Sequence, residues 1–136
     1  MSEAITFAIL PDTLLPLADK FYRSHRSPMR ATKGATLWVA KQQEIIAALN
    51  LTAVAEGHWL TGLFVAPQWR GQAVAGRLLA QVLQARTGPV WLFCHPELAE
   101  FYQRAGFVAC EELPRELAER LRRYGRTKPL IAMRTT

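Results

Sequence analysis

The residues from Leu63 to Leu79, LFVAPQWRGQAVAGRLL, join an apolar strand-like run to an amphipathic helix through a turn of Arg70 and small residues. Small side chains at Gly71, Ala73, Ala75 and Gly76 would let the oxygens of a ligand approach the main chain. The first turn of a helix carries unpaired N–H groups and the positive end of the helix dipole, so it attracts negative charge. The chemistry such a turn offers is the seating of a phosphate or pyrophosphate. On its own the segment does not separate that role from an ordinary connection, because a glycine-bearing turn before a helix is common in α/β proteins. A second candidate is the hydroxyl of Tyr102, in LAEFYQRAGF from Leu98 to Phe107. Taken alone, this tyrosine reads as a packing residue at the edge of a core.

The pattern around these segments predicts the elements that must position them. Ala4 to Leu10 reads as an opening strand, followed by a helix with Leu14, Leu17, Ala18, Phe21 and Tyr22 at helical spacing behind an Asp12 cap. Ser24 to Gly34 is polar and aperiodic, an exposed loop or a broken helix. Thr36 to Lys41, Glu44 to Ala55 and His58 to Val65 read as three strands of an antiparallel meander, although Ile45 to Leu51 also permits helix. A helix follows from about Ala73 to Arg86, with Val74, Leu78 and Val82 on one stripe. Val90 to Cys94 is an apolar run of the kind buried on both faces, and Pro96 opens a helix from Glu97 to Ala105 closed by Gly106. Strand, helix, strand implies a right-handed crossover and parallel pairing. Phe107 to Glu112 then resumes as a strand, Pro114 starts a further helix, and Pro129 to Arg134 supplies a last strand.

With both segments in this order, the chain resembles the GNAT N-acetyltransferase superfamily. The family's acetyl-CoA loop, Gln/Arg-x-x-Gly-x-Gly/Ala after a strand ending in Val-x-Pro, is matched by Val65-Ala66-Pro67-Gln68-Trp69-Arg70-Gly71-Gln72-Ala73. The Phe101-Tyr102 pair and the closing Gly106-Phe107 look like its second signature at the proper distance. The sequence-specific part of the likeness is about Leu63 to Phe107. Ala75 stands where many members have another glycine; Ala still offers its N–H but resists positive φ. The fold implied is α/β and GNAT-like: a mixed, mostly antiparallel central sheet, splayed between its parallel strands and flanked by helices, with residues 1–136 forming a single domain.

The resemblance also implies a site. The family's usage puts Leu63, Phe64 and Val65 beside the pantetheine of acetyl-CoA, and Arg70, Gly71, Gln72, Ala73, Val74, Ala75 and Gly76 around its pyrophosphate. Tyr102 matches the tyrosine that lies near the thioester sulfur and can protonate the departing thiolate. Attack of a neutral amine on a thioester needs N–H donors for the oxygen, an acid for the sulfur and a route for the ammonium proton. For a base on the strand before the loop, alternation counted back from Val65 selects Trp59 and Thr61, which cannot accept a proton at neutral pH. Glu56 and His58 are one step out of phase and need a bulge to turn inward, so a water relay is expected with these two as distant participants.

Composition bounds the remaining choices. The 136 residues, 50% of them hydrophobic, suit one ordinary core. No apolar run approaches the roughly 18 residues of a membrane span, and the amino terminus lacks a secretory pattern, so a cytoplasmic protein is the expectation. Cys94 and Cys110 lie in apolar runs and read as reduced, buried thiols. His95 beside Cys94 would face the opposite side of a strand, so no metal is expected. His25, among Arg23, Arg26 and Arg30, reads as a loop residue or part of an acceptor pocket. The net charge of +6 suits a phosphorylated ligand, an anionic membrane or nucleic acid. The cluster of Arg115, Arg120, Arg122, Arg123, Arg126 and Lys128 is interrupted by Glu116 and Glu119 without a groove-reading motif, which reads as a charged outer helix face. The expected partners are therefore an acyl-CoA and an amine acceptor, with neither membrane nor nucleic acid; two copies pairing through the terminal strand or helix is compatible with the pattern. The expected reaction is acetyl transfer to a primary amine by direct attack. Its competitors are a protein or peptide amine as acceptor and a non-catalytic acyl-CoA-binding regulator.

Overall fold

Residues 4–135 are described in the computed structural model. Along them run β1 (Thr6–Leu10), α1 (Leu15–Ser24), β2 (Thr36–Gln42), β3 (Glu44–Val54), β4 (Gly57–Val65), α2 (Val74–Ala85), β5 (Val90–Cys94), α3 (Ala99–Arg104), β6 (Phe107–Ala109), α4 (Arg115–Tyr124) and β7 (Ile131–Thr135). The strand order is β1-β2-β3-β4-β5-β7-β6. It is a mixed sheet, antiparallel in its β1/β2, β2/β3, β5/β7 and β6/β7 pairs and parallel where β4 meets β5. The chain divides into two compact units, one formed by the residues through Thr52 with Leu60–Arg86, the other by Ala53–Trp59 with the residues from Thr87 onward.

In the first unit β1, β2 and β3 form the expected antiparallel meander, and Ile45 to Leu51 is strand. Helix is overruled there because every residue from Ile46 to Leu51 is buried, which a β2-paired strand covered on both faces achieves. The hairpin between β2 and β3 turns through Gln43 at φ +68°. From α1, Ala18, Phe21 and Tyr22 pack on Leu37, Val39 and Ala48, while α2 buries Val74, Leu78, Leu79 and Val82. Asp12 does not cap α1. It lies in a 3-10 turn, Asp12–Leu14, that delays the helix start to Leu15 and leaves aliphatic Leu14 at the cap position with no acceptor to offer.

A buried polar group organises this unit. Asn50 is only 1% exposed. Its Oδ1 accepts the Thr32 N–H at 2.8 Å, and its Nδ2 donates to the Arg30 carbonyl at 3.1 Å. Asp19 Oδ1 accepts the Ala31 N–H at 2.7 Å, so the polar segment after α1 is held at its backbone despite having no regular structure. The Tyr22 hydroxyl donates to the Gly62 carbonyl at 2.7 Å. Gly62 has φ +68°, and a Cβ there would meet Asn50 Nδ2 at 2.7 Å, so both its conformation and its surroundings demand glycine.

In the second unit the parallel register aligns His58 with Val90 and Trp59 with Trp91. The approach is tight: His58 N–H donates to the Pro89 carbonyl at 2.9 Å, and a Cβ at Gly57 would collide with that same carbonyl. Val54, Trp59, Trp91 and Leu117 form the core beneath α4. Arg120 is not an outward-facing charge, since its guanidinium lies 4.5 Å from the centre of the Trp59 ring. Two elements are shorter than the sequence pattern predicts. A 3-10 turn, Pro96–Leu98, precedes α3, and His95 Nδ1 accepts the Glu97 N–H at 3.3 Å at its start. Strand β6 ends at Ala109; Cys110 still donates to the Ala132 carbonyl at 3.0 Å, after which exposed Glu111 and Glu112 lead away.

Replacing Tyr22 by Phe would leave the Gly62 carbonyl without its donor and is expected to lower stability by about 1–3 kcal/mol. Gly62→Ala, which imposes a strained φ and a collision, is expected to cost at least that. Urea denaturation of both variants checks this, and unchanged midpoints would remove the group's structural role.

Candidate active site

The turn after β4 begins with a 3-10 segment, Pro67–Trp69, and then passes through Arg70 in extended conformation. Gly71 (φ +81°) and Ala73 (φ +61°) are both left-handed, with Gln72 between them. Alanine in that region is strained by about 1–2 kcal/mol. Ala73 is the residue at which α2 starts, and no side chain caps the helix. The first intrahelical bond runs from Arg77 N–H to the Ala73 carbonyl at 3.0 Å, so the N–H groups of Val74, Ala75 and Gly76 form the bare first turn. A Cβ placed on Gly71 or Gly76 would meet nothing within 4 Å. Main-chain donors, the positive end of a 12-residue helix and open space therefore coincide, which is what a diphosphate requires.

The strand leading into this turn is half-exposed at each residue from Thr61 to Val65. Its pairing with β5 covers His58 and Trp59. Leu63, Phe64 and Val65 are each partly exposed. The Phe64 ring is engaged elsewhere, packing edge-on against Phe21 at 5.9 Å and lying 6.0 Å from the His25 ring. Arg70 turns back over this strand end: its guanidinium is 5.2 Å from the Phe64 ring centre, and its Nε donates to the Val65 carbonyl at 3.1 Å. This clasp, the Asn50 group and the buried tyrosine behind it escaped the sequence reading. A lone Asn in the apolar run from Glu44 to Ala55 was the signal that could have found them.

In the second unit Tyr102 is buried, flanked by Phe101 at 5.0 Å and Phe107 at 5.8 Å. Burial pushes its phenol up to about 12, and the neighbouring Cys94 thiol adds to the shift. Cys94 is itself a free, buried thiol pushed above the ordinary range by burial, with its Sγ 3.7 Å from Met133 Sδ. His58 shares its strand face with Val90 across the parallel ladder, and by the period of two with Leu92 and Cys94, whereas Trp59 faces Phe93 and α4. The Nδ1 of His58 is buried and has no hydrogen-bond partner among the described residues. Glu56 is exposed in the turn that precedes β4, at the end of the strand opposite the loop. The left-handed Gly62 interrupts the pleat, so a face count from Val65 does not carry through to His58 and Trp59.

Among the described residues no three His, Cys, Asp or Glu side chains cluster as metal ligands, and no helix is long and apolar enough to cross a membrane.

Residues 33–109 match the family model described as an acetyltransferase (GNAT) domain. No curated protein sequence matches the chain. Solved structures do resemble it in fold. A GNAT-family acetyltransferase from Staphylococcus aureus is 15% identical, with a TM-score of 0.69 over 97% of this chain and 98% of that one. The ribosomal-protein-S18-alanine N-acetyltransferase of Escherichia coli is 16% identical, with a TM-score of 0.71 over 97% of this chain and 93% of that one. The N-acetylglutamate synthase of Neisseria gonorrhoeae, solved with coenzyme A and N-acetyl-glutamate, is 15% identical with a TM-score of 0.73, covering 99% of this chain but 35% of its own.

The Tyr102 environment has a measurable consequence. Its folded-state pKa of about 12 lies above the ordinary phenol value of 10.0, so its contribution is complete below pH 10 and is lost as pH rises toward 12. Two units correspond to about 2–3 kcal/mol. Tyr102→Phe should accordingly flatten the alkaline fall in stability across that window, read from urea midpoints at stepped pH; an unchanged slope would contradict the burial of the phenol.

Proposed function

The chain belongs to the GNAT acetyltransferase family, and from that premise we propose that it transfers an acetyl group to a primary amine by direct attack, with Tyr102 as the acid for the CoA thiolate. As a family member it is an acetyl-CoA-dependent N-acetyltransferase. Acetyl-CoA, when bound, supplies the activated acyl group. The observation that carries the reading is the uncapped start of α2 behind left-handed Gly71 and Ala73. In this proposal the main chain from Arg70 to Gly76 holds the diphosphate. Leu63, Phe64 and Val65 line the pantetheine through their backbone, a role supported by their partial exposure and by the prior engagement of the Phe64 ring.

Tyr102 stays neutral through the physiological range and so can always donate. In this proposal Tyr102 first donates a hydrogen bond into the departing thiolate and then gives it the proton, and the proton released by the acylated amine, passed on through a relay, restores the phenol. His58, whose buried Nδ1 lacks a partner, is the better-placed acceptor for a relay, and Glu56 serves at most as a surface outlet. Among the described residues no serine or cysteine stands beside a convincing base, and burial raises the Cys94 thiol, which supports direct attack over a covalent acyl-enzyme.

Gly76→Asp puts a carboxylate into open space at the helix start. It should fold normally yet weaken acetyl-CoA binding by at least about tenfold in calorimetry; undiminished affinity would sink the diphosphate assignment. Tyr102→Phe should lower kcat by about 10–100-fold with acetyl-CoA affinity preserved. His58→Gln should lower kcat several-fold with acetyl-CoA affinity preserved, and an unchanged kcat would exclude the relay.

A further inference from the structure

We propose that the cleft beside the C-terminal half of α1 binds a small carboxylate with an apolar body. The cleft lies within the first compact unit and has a volume of about 510 Å³, within the roughly 300–1,000 Å³ usual for small-molecule sites. Leu17 and Phe21 of α1 and Ile45 of β3 give it an apolar wall. Leu17 is 45% exposed, a large side chain left facing solvent with nothing else to cover it among the described residues. The rim is charged and unbalanced: Lys20 from α1 and Lys41 from the end of β2 stand against a single carboxylate, Glu44. Neither lysine has an ion-pair partner among the described residues.

Two compact, rotatable ammonium groups over an aliphatic and aromatic wall select for an anionic head on a hydrophobic body. The lone Glu44 also accommodates an ammonium on the same molecule, so an apolar amino acid meets both signs of charge at Lys20, Lys41 and Glu44, whereas an amine without a carboxylate faces two lysines against one carboxylate. A ligand of this chemistry is either the acceptor itself or a carboxylate that modulates transfer to another amine. The cleft's walls come from α1, the β2–β3 hairpin and Ala66 and Gln68 just after β4, and the Asn50 and Tyr22 hydrogen bonds tie α1 and the segment after it to β3 and β4.

Calorimetry and amide-shift mapping on the full chain, with hydrocinnamate, L-phenylalanine and L-phenylalaninamide, test this. The two carboxylates should bind and perturb amides of α1 and the β2–β3 hairpin, with the carboxamide weaker by at least about tenfold. Lys20→Glu and Lys41→Glu, both at exposed or half-exposed positions, should each weaken hydrocinnamate several-fold while leaving acetyl-CoA affinity and thermal midpoint unchanged. Acetylation of L-phenylalanine with a KM that rises in both variants identifies the carboxylate as part of the acceptor. Altered turnover of a different amine, without acetylation of L-phenylalanine, identifies a modulator. Equal binding of the carboxamide, or hydrocinnamate binding indifferent to both variants, overturns the proposal. Intact acetyl-CoA binding in that case would leave the family chemistry standing.

Discussion

The bare first turn of α2 is the constraint from which the functional half of the molecule follows. A helix start normally takes a Ser, Thr, Asp or Asn whose side chain satisfies one of its N–H groups, at a benefit of about 1 kcal/mol. Here Ala73 occupies that position in a left-handed conformation that alanine disfavours, and no side chain replaces the missing acceptor. Both choices cost stability, and together they leave the donors pointing into open space beside Gly71 and Gly76. In the proposed site a bound diphosphate would recover what the fold has forgone. The strain falls on Ala73, since glycine takes positive φ without it, and the Arg70 Nε bond to the Val65 carbonyl closes the turn across its base.

The rest of the first unit can be understood as support for that strand end. Gly62 is left-handed and breaks the pleat of β4, and its carbonyl accepts the Tyr22 hydroxyl. Tyr22 comes from α1, and its neighbour Asn50 from β3 also secures the segment after α1. A polar group buried inside an otherwise apolar core is costly unless fully bonded, and full bonding specifies one arrangement of helix, segment and strand. Burial and the nearby Asp19 push the Tyr22 phenol far above its usual range, consistent with a hydroxyl committed to donating.

The second unit positions its candidate residues by packing. Tyr102 is wedged between Phe101 and Phe107 on a six-residue helix too short to be rigid alone. The aromatic contacts supply the rigidity, and the burial they impose keeps the hydroxyl protonated. His58 reaches the same strand face as Cys94 because the close contact of Gly57 with Pro89 sets the parallel register. A side chain at Gly57 would strike the Pro89 carbonyl and force the two strands out of this register.

Sequence alone determined the order of elements, the strand-turn-helix segment and the two signatures, because these depend on short-range periodicity and on residues whose backbone preferences are strong. Strand bounds in the meander were legible to within two residues, since Gln43 and the Ala55-Glu56 pair interrupt continuous apolar runs. What tertiary structure decided was everything set by a neighbour distant in the chain. Asp12 fails as a cap because a 3-10 turn intervenes, and Ile45 to Leu51 is strand because it is buried on both sides. Arg120 stacks on Trp59 rather than facing solvent. The phase of His58 was unreadable for the same reason: one left-handed glycine reverses the count, and whether Gly62 adopts that conformation depends on Tyr22, forty residues earlier. Local propensity is written residue by residue, but the hydrogen bond that selects among local alternatives exists only once the chain has closed on itself.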